Sequence, residues 1–200
     1  GVIQQCYSLQ SIIMPDSIGV IESNAFRYCS SLQFIKFSKN IVSIGSYVFD
    51  YCRVLRSINL PSKITRIGEY SFSHCFIVSS IILPDSLVNI GRNAFESNYL
   101  VKSLVIPENV TLIPEETFMN CYSLESIVIK NVAQIGKNVF KNCYILSSCI
   151  FLGNENPAYE DKIFINSKID FVNVTLSYKA NNFCSYPIEY LPSDYEYQAP

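Results

Sequence analysis

The chain has 200 residues, of which 49% are hydrophobic and 16% charged, and its net charge is −2. This composition is typical of a globular protein and excludes a disordered one. A slightly acidic chain lacks the basic surface that nucleic acid or an anionic membrane requires. No apolar run approaches the roughly 18 residues of a membrane-spanning helix. We therefore expect no nucleic-acid partner and no membrane insertion in this segment.

A 23-residue period runs along the sequence. Phenylalanine recurs at this spacing, with one step of 22, and an isoleucine stands five residues before each one. The phenylalanines are Phe26, Phe49, Phe72, Phe95, Phe118 and Phe140. The unit reads C-x-x-L-x-S-I-x-(L/I)-P-x-S-(I/L)-x-x-I-G-x-x-A-F-x-x, most clearly over residues 75–97. Such a period predicts a solenoid, in which each unit buries its apolar face against its neighbours.

Each unit is predicted to begin with a strand and to return through a second half. In L-x-x-I-x-L the last two apolar residues are two apart and share one face of a strand. The proline that follows in four units cannot donate to a ladder and ends the strand. The I-G-x-x-A-F half returns on the opposite side, where we expect glycine to supply an unusual φ. The fold class is therefore an α/β-type, mostly β solenoid with parallel strands on one face and short turns or strands on the other.

The two ends of the array depart from the repeat. Residues 1–5 match the end of an earlier unit, so we expect further repeats before them, or self-association through an uncapped N-terminal end. An eighth strand is predicted at 169–174, which closes a repeat array at 1–174. The spacing of Leu176, Ala180 and Phe183 predicts a short helical cap, and an extended or mobile tail completes the segment 175–200.

Cysteine opens most units, and asparagine replaces it twice. The column is Cys6, Cys29, Cys52, Cys75, Asn98, Cys121, Cys143 and Asn166. A line of residues cannot converge on zinc, and the asparagines exclude continuous disulfide pairing. Both residue types can donate a buried hydrogen bond to a backbone carbonyl, so we interpret the column as a structural ladder. Cys149 is expected in the core, and Cys184 is the one cysteine expected to be exposed.

No pattern of residues predicts catalysis, a metal site or a cofactor. The chain has one histidine, His74, which is expected on a surface loop, and it lacks a phosphate-binding loop, G-x-G-x-x-G and H-E-x-x-H. Two sequons, at Asn109 and Asn173, are expected to be exposed as glycan attachment requires.

The outward strand positions form the predicted binding face. One column is mostly serine, and the other contains an unbroken apolar stripe. The candidate partner-binding residues are Phe34, Lys36, Ile82, Val105, Val128 and Ile150. Contiguous apolar surface often marks an interaction site, although β-branched residues also favour strands for their own sake. The tyrosines that follow the ladder offer a second surface, or pack between repeats.

The unit from Cys75, with Ser86 to Ile90, Gly91 and Ala94-Phe95, resembles the BspA-like (Treponema pallidum-type) leucine-rich repeats. The resemblance covers residues 1 to about 174. It implies a surface protein of a bacterium or a mucosal protozoan, and the abundance of Tyr, Asn, Ser and Ile is similar to trichomonad-type members. The partner it implies is a protein of host extracellular matrix, a cell surface or another microbe. Pro114 in place of glycine, and Lys162-Ile163 where Ala-Phe is expected, depart from the pattern.

Two functions follow from this reading. The first is a non-catalytic, cell-surface or secreted binding module of the adhesin type, which engages a protein through the sheet face. The second is a cytoplasmic scaffold or regulatory subunit that uses the same face, because some intracellular proteins carry these repeats. An enzymatic function would need chemistry outside this segment.

Overall fold

A computed structural model describes residues 5–197. The strands in chain order are β1 (Ser11–Ile13), β2 (Val20–Ile21), β3 (Phe34–Lys36), β4 (Ser43–Ile44), β5 (Ser57–Asn59), β6 (Arg66–Ile67), β7 (Ser80–Ile82), β8 (Asn89–Ile90), β9 (Ser103–Ile106), β10 (Leu112–Ile113), β11 (Ser126–Ile129), β12 (Gln134–Ile135), β13 (Ser148–Phe151), β14 (Ala158–Tyr159), β15 (Val172–Val174) and β16 (Ile188–Tyr190). Within residues 5–197 no helix is present. The chain is a mostly β solenoid of about seven turns, as predicted.

The strands lie on two sides of the solenoid. The odd-numbered strands and β16 form the front sheet, hydrogen-bonded as β1-β3, β5-β7 and β9-β11-β13-β15-β16. The other even-numbered strands form the back sheet, in the groups β2-β4-β6-β8 and β10-β12-β14. Every strand pair is parallel, and equivalent repeat positions face each other, as Val105 does Val128. The period in the sequence is therefore the register of both sheets.

A stack of phenylalanine rings fills the space between the sheets. Neighbouring ring centroids are 5.2–5.7 Å apart and the ring planes lie within 17° of parallel. Parallel rings at this distance are offset, which is the favoured stacking geometry. The stack comprises Phe26, Phe49, Phe72, Phe95, Phe118, Phe140 and Phe164.

Backbone hydrogen bonds also join the turns behind the phenylalanines. Alternate N–H groups of one turn donate to the next: Asn24 to Ser46, Phe26 to Val48 and Tyr28 to Asp50, at 2.8–2.9 Å. This geometry requires a positive φ at two non-glycine residues per turn. One column is Asn24, Tyr47, Tyr70, Asn93, Glu116, Asn138 and Lys162; the other is Gln5, Tyr28, Tyr51, His74, Ser97, Asn120, Asn142 and Asn166. Asparagine tolerates this region better than most residues, which explains its frequency there.

The repeat glycines have a different function from the one predicted. Among the described residues no glycine has a positive φ, so the expected unusual turn is wrong. A Cβ on Gly68 would lie 2.5 Å from the carbonyl carbon of Gly45, and one on Gly91 would lie 2.3 Å from the nitrogen of Glu69. These glycines are required because the backbone of the preceding turn occupies the place of a side chain.

The C-terminal cap is aromatic and not helical. Tyr178 and Phe183 pack on Phe151, and the ring of Tyr186 contacts Phe164 edge-on, with 4.8–5.7 Å between centroids. Phe183 and Tyr186 form an antiparallel bridge. The predicted helix is wrong because Phe183 covers the open core together with Tyr178, which lies outside the helical spacing, whereas Leu176 is exposed. Cys184 is buried within this cap, which corrects its expected exposure.

The C-terminal segment adds a ninth strand to the front sheet. Strand β16 pairs in parallel with β15, with Val172 opposite Ile188, where an extended or mobile tail was expected. The division into segments 1–174 and 175–200 stays a prediction. At the other end, residues 1–4 lie outside the described residues, so the expected earlier repeat and the self-association stay predictions too.

The close approach at the glycines can be tested by alanine. Gly68→Ala should lower the free energy of unfolding by about 1–3 kcal/mol, because backbone must shift to admit the methyl group. Gly19→Ala is the matched control, since its Cβ would meet only the Asn40 oxygen at 3.7 Å. Urea unfolding of both variants measures the difference, and equal stabilities would contradict this role of glycine.

Candidate binding surface

The outward column of the front sheet is exposed to different extents along the array. Ile82 is 64% exposed, and Lys36 is also exposed. Val105, Val128 and Ile150 are half-buried. Pairing places Val105 beside Val128, and Val128 beside Ile150, while β7 lies next to β9. The four apolar residues thus form a continuous strip, here called the front stripe.

Phe34 and Lys36 form a separate patch near the N-terminal end. Strand β3 pairs with β1, so that Phe34 lies beside Ser11 and Lys36 beside Ile13. The guanidinium of Arg56 lies 5.7 Å from the centre of the Phe34 ring, within the range of a cation–π contact. Strand β5, with Ser57 and Asn59 facing outward, separates this patch from Ile82. The structure therefore does not join the six candidate residues into one surface.

A cavity of about 470 Å³ lies beside the front stripe. Ile82 and Val105 contribute to its wall, together with Lys130 and Tyr197. The Nζ of Lys130 forms an ion pair with Asp85 at 3.0 Å. Tyr197 was missed by the sequence reasoning because it lies beyond the repeats. Its only signal in the sequence is an aromatic residue among acidic ones near the C-terminus.

The cysteine ladder is present through most of the array. The Sγ atoms of Cys52, Cys75, Cys121 and Cys143 donate to the carbonyl oxygens of Phe26, Phe49, Phe95 and Phe118 at 3.4–3.5 Å. Asn98 makes the equivalent bond to Phe72 at 3.0 Å and a second one to Phe95 at 2.8 Å. Among the described cysteines none forms a disulfide. Each donor satisfies a carbonyl that water cannot reach.

Asn166 does not belong to this ladder. It is exposed, has a φ of 58°, and donates to the Oδ1 atom of Asn142 at 2.7 Å. Phe164 likewise stacks on Phe140, again 24 residues away. The connection 152–157, between β13 and β14, is one residue longer than in a 23-residue unit. The connection between β14 and β15 is one residue shorter, which restores the 23-residue register. This compensation also explains why Lys162-Ile163 failed to match Ala-Phe.

Burial raises the pKa of the ladder thiols. Cys143 is fully buried and its pKa is raised to about 12, opposed by a backbone hydrogen bond. Burial also raises the pKa of Cys52, Cys121 and Cys149. The protonated thiol is therefore the stable form, which agrees with its role as a hydrogen-bond donor and opposes nucleophilic chemistry.

His74 lies in a polar cluster on the turns behind the phenylalanine stack. Its ring stacks on Tyr51 with centroids 4.1 Å apart, and its Nδ1 lies 2.7 Å from Ser73 Oγ and 3.5 Å from Asp50 Oδ1. A nucleophile–base–acid relay needs both ring nitrogens, whereas both contacts here use Nδ1, and Ser73 is buried. Burial raises the pKa of Glu96, opposed by the charge of His74. Within residues 5–197 no group of three metal-binding side chains is present.

The two sequons differ in accessibility. Asn109 is exposed, and its Nδ2 donates to the Asp85 carbonyl at 2.8 Å. Asn173 is half-buried in β15, between Ile150 of β13 and Glu189 of β16. Asn109 is therefore the more accessible candidate for glycosylation.

The second candidate surface consists of tyrosines that pack on each other. Tyr99, Tyr122 and Tyr144 form a continuous stack with centroids 4.6 and 5.4 Å apart. Phe76 begins it, 4.8 Å from Tyr99. Because each interior ring has neighbours on both faces, only ring edges and hydroxyl groups remain for a partner.

The comparisons with known proteins agree with this geometry. A family model described as the BspA type leucine rich repeat region matches six copies, over residues 2–109 and 42–170. The chain belongs to the BspA-type leucine-rich repeat family. Leucine-rich repeats are a scaffold that serves protein interaction through extended surfaces. Within the described residues, no helix has the length and hydrophobicity that a membrane crossing requires.

Solved leucine-rich repeat structures share the fold. The leucine-rich repeat protein of T. pallidum is 28% identical and aligns with a TM-score of 0.66 over 72% of this chain and 67% of its own. One from Bacteroides ovatus is 20% identical, with a TM-score of 0.59 over 91% and 69%. One from Eubacterium ventriosum is 18% identical, with a TM-score of 0.60 over 81% and 60%. The comparison with curated proteins found no match.

The raised thiol pKa predicts a loss of stability in alkali. Unfolding exposes Cys143, whose pKa then falls from about 12 to its ordinary value near 9. The contribution of the buried thiol to the free energy of unfolding is thus complete below pH 9. It is lost as the pH rises toward 12, at about 1.4 kcal/mol per pH unit. Cys143→Asn keeps a ladder donor, as Asn98 does, but cannot titrate.

Urea unfolding between pH 9 and 11 measures this effect. The free energy of unfolding of Cys143→Asn should fall less steeply with pH than that of the wild-type protein. Tyrosines and lysines titrate equally in both proteins and cancel in the comparison. Parallel pH profiles would show that the thiol is not buried as a donor.

Proposed function

We propose that this chain is a non-catalytic protein-binding module of the adhesin type, which engages a host or microbial protein through the front sheet. The observation that carries the proposal is the front stripe. Ile82, Val105, Val128 and Ile150 succeed one another on adjacent strands, with the most exposed of them at one end. Family membership supports protein binding as the general activity.

The physical properties of the front sheet favour a protein partner. Valine and isoleucine are stiff about χ1 and lose little freedom when a partner covers them. The parallel column of serines, such as Ser103 and Ser126, keeps the surface beside the stripe low and supplies hydroxyl groups. Apolar area with polar groups at its border is the usual arrangement of a binding surface.

Substitution of the stripe tests the proposal. Ile82→Glu and Val105→Glu place charge in the expected interface and should weaken binding by about tenfold or more. Leu112→Glu is the matched control, because Leu112 is also apolar and exposed but lies on the back sheet. Binding is measured by surface plasmon resonance against fractionated host-surface extract, after circular dichroism has shown that each variant is folded. Unchanged affinity of both front-sheet variants would exclude the stripe as the binding site.

Glycosylation of Asn109 separates a surface protein from a cytoplasmic scaffold. We expect native material to carry a glycan on Asn109, since its side chain is exposed and the hydrogen bond to Asp85 uses only one N–H of its amide. Mass spectrometry of native protein, compared with Asn109→Gln, measures occupancy. An unmodified Asn109 in protein recovered from the cytosol would favour the alternative, an intracellular scaffold or regulatory subunit.

A further inference from the structure

The C-terminal segment folds back toward the front stripe. After β16, Leu191 donates from its N–H to the Val174 carbonyl at 2.8 Å, and a turn follows in which the Tyr195 N–H donates to Pro192 at 3.0 Å. Two residues later, Tyr197 lines the cavity beside Ile82 and Val105. The chain thus passes from the ninth strand of the front sheet back to the region of β7 and β9.

The cavity has the properties of a side-chain or peptide pocket. Its volume of about 470 Å³ lies within the range of ligand sites, roughly 300–1,000 Å³. Ile82 and Val105 give it an apolar part, and Pro84 and Pro107 flank it where the front strands end. Lys130 supplies a positive charge, which is shared with Asp85. These walls suit an extended segment that carries an aromatic ring and acidic residues.

The chain's own C-terminal segment has this chemistry. Residues 194–197 read Asp-Tyr-Glu-Tyr, so acidic and aromatic side chains alternate. Tyr197 lies within the electrostatic influence of Lys130, which lowers the tyrosine pKa against the larger, raising effect of burial. Tyr197, in the cavity wall, therefore lies close to the positive charge of Lys130.

The fit of Tyr197 is incomplete. Its hydroxyl group is buried and has no hydrogen-bond partner among the described residues. A buried hydroxyl without a partner is unfavourable relative to one in water. The Tyr197 hydroxyl therefore regains hydration when the residue moves away from the cavity wall, and this lowers the free-energy cost of displacing it.

We propose that the cavity between Ile82, Val105 and Lys130 is a docking site for an extended, acidic, tyrosine-containing segment of a partner, and that Tyr197 covers one side of this cavity until the partner's segment displaces it. The inference rests on the proposed function, since both place the partner on the front sheet. It adds the chemistry of the partner and a competitor within the same chain.

Thiol labelling of the full chain tests the proposal without a known partner. Val105→Cys introduces a reporter at the cavity, while the native cysteines other than Cys6 are buried, so they should react slowly with Ellman's reagent. In Val105→Cys, replacement of Tyr197 by alanine should increase the labelling rate about fivefold or more, as expected when a local cover opens more often. Ile13→Cys, in the same column but at the far end, is the matched control and should not change.

A peptide added in trans tests the docking itself. A synthetic peptide of residues 191–200 should slow labelling of the Val105→Cys, Tyr197→Ala double variant, and the same peptide with alanine for Tyr197 should not. Equal labelling with and without Tyr197 would overturn the proposal. Faster labelling without protection by the peptide would also overturn it, because the segment would then cover the sheet without a site for a separate chain. If the peptide slows labelling but the Ile82→Glu and Val105→Glu variants bind the partner normally, only the proposed function would be contradicted.

Discussion

The hydrogen bonds between successive turns are the interaction on which the rest of this structure depends. They join strands in the front and back sheets and join alternate residues on the turns between them. Because each turn is bonded to its neighbour on several sides, equivalent residues are held about one strand spacing apart. Phenylalanines then stack and thiols meet the carbonyl of the preceding unit. Side-chain order in this solenoid is a consequence of backbone order.

The constraint also determines which residues each column accepts. A carbonyl beside the phenylalanine stack has no access to water, so its column needs a small donor, and cysteine and Asn98 both provide one. The left-handed columns accept asparagine, tyrosine, serine and histidine, because a positive φ restricts the backbone more than the side chain. His74 thus stands in a structural column with Tyr51 and Ser97, which explains a lone histidine without any chemistry.

The periodic part of the fold could be predicted from the sequence, because each column reports a position that the backbone repeats. The phenylalanine stack, the strands and the donors of the ladder follow from spacing alone. Spacing failed where the register changed. Asn166 follows Cys143 by 23 residues, as a ladder residue should, but the additional residue in 152–157 shifts it to the column of Asn142. A shorter connection before β15 then restores the 23-residue register. The function of Gly68 was also misjudged, since a close approach to another turn leaves no local signal.

The site was predictable only in part for a related reason. Ile82, Val105, Val128 and Ile150 could be placed on one face by alternation and period. Their unequal exposure and the position of Tyr197 depend on contacts between distant parts of the chain that no period encodes. The cap failed in the same way, because the spacing of Leu176, Ala180 and Phe183 fits one face of a helix, whereas Tyr178 and Phe183 pack on Phe151 and Leu176 is exposed.

The close approach at the repeat glycines has a consequence for how such an array can change in length. Each repeat glycine makes room for the turn before it, so an inserted unit must keep its own backbone clear of the preceding turn and must also fit the glycine of the next unit. Duplication of a DNA segment of one whole unit satisfies both conditions wherever its boundaries fall. The additional residue near position 152 is compensated by a shorter connection later in the same unit. Insertion of a partial unit without such compensation would place a Cβ against backbone in the following turn. Gene duplication in whole units is thus the change in length that this packing tolerates best.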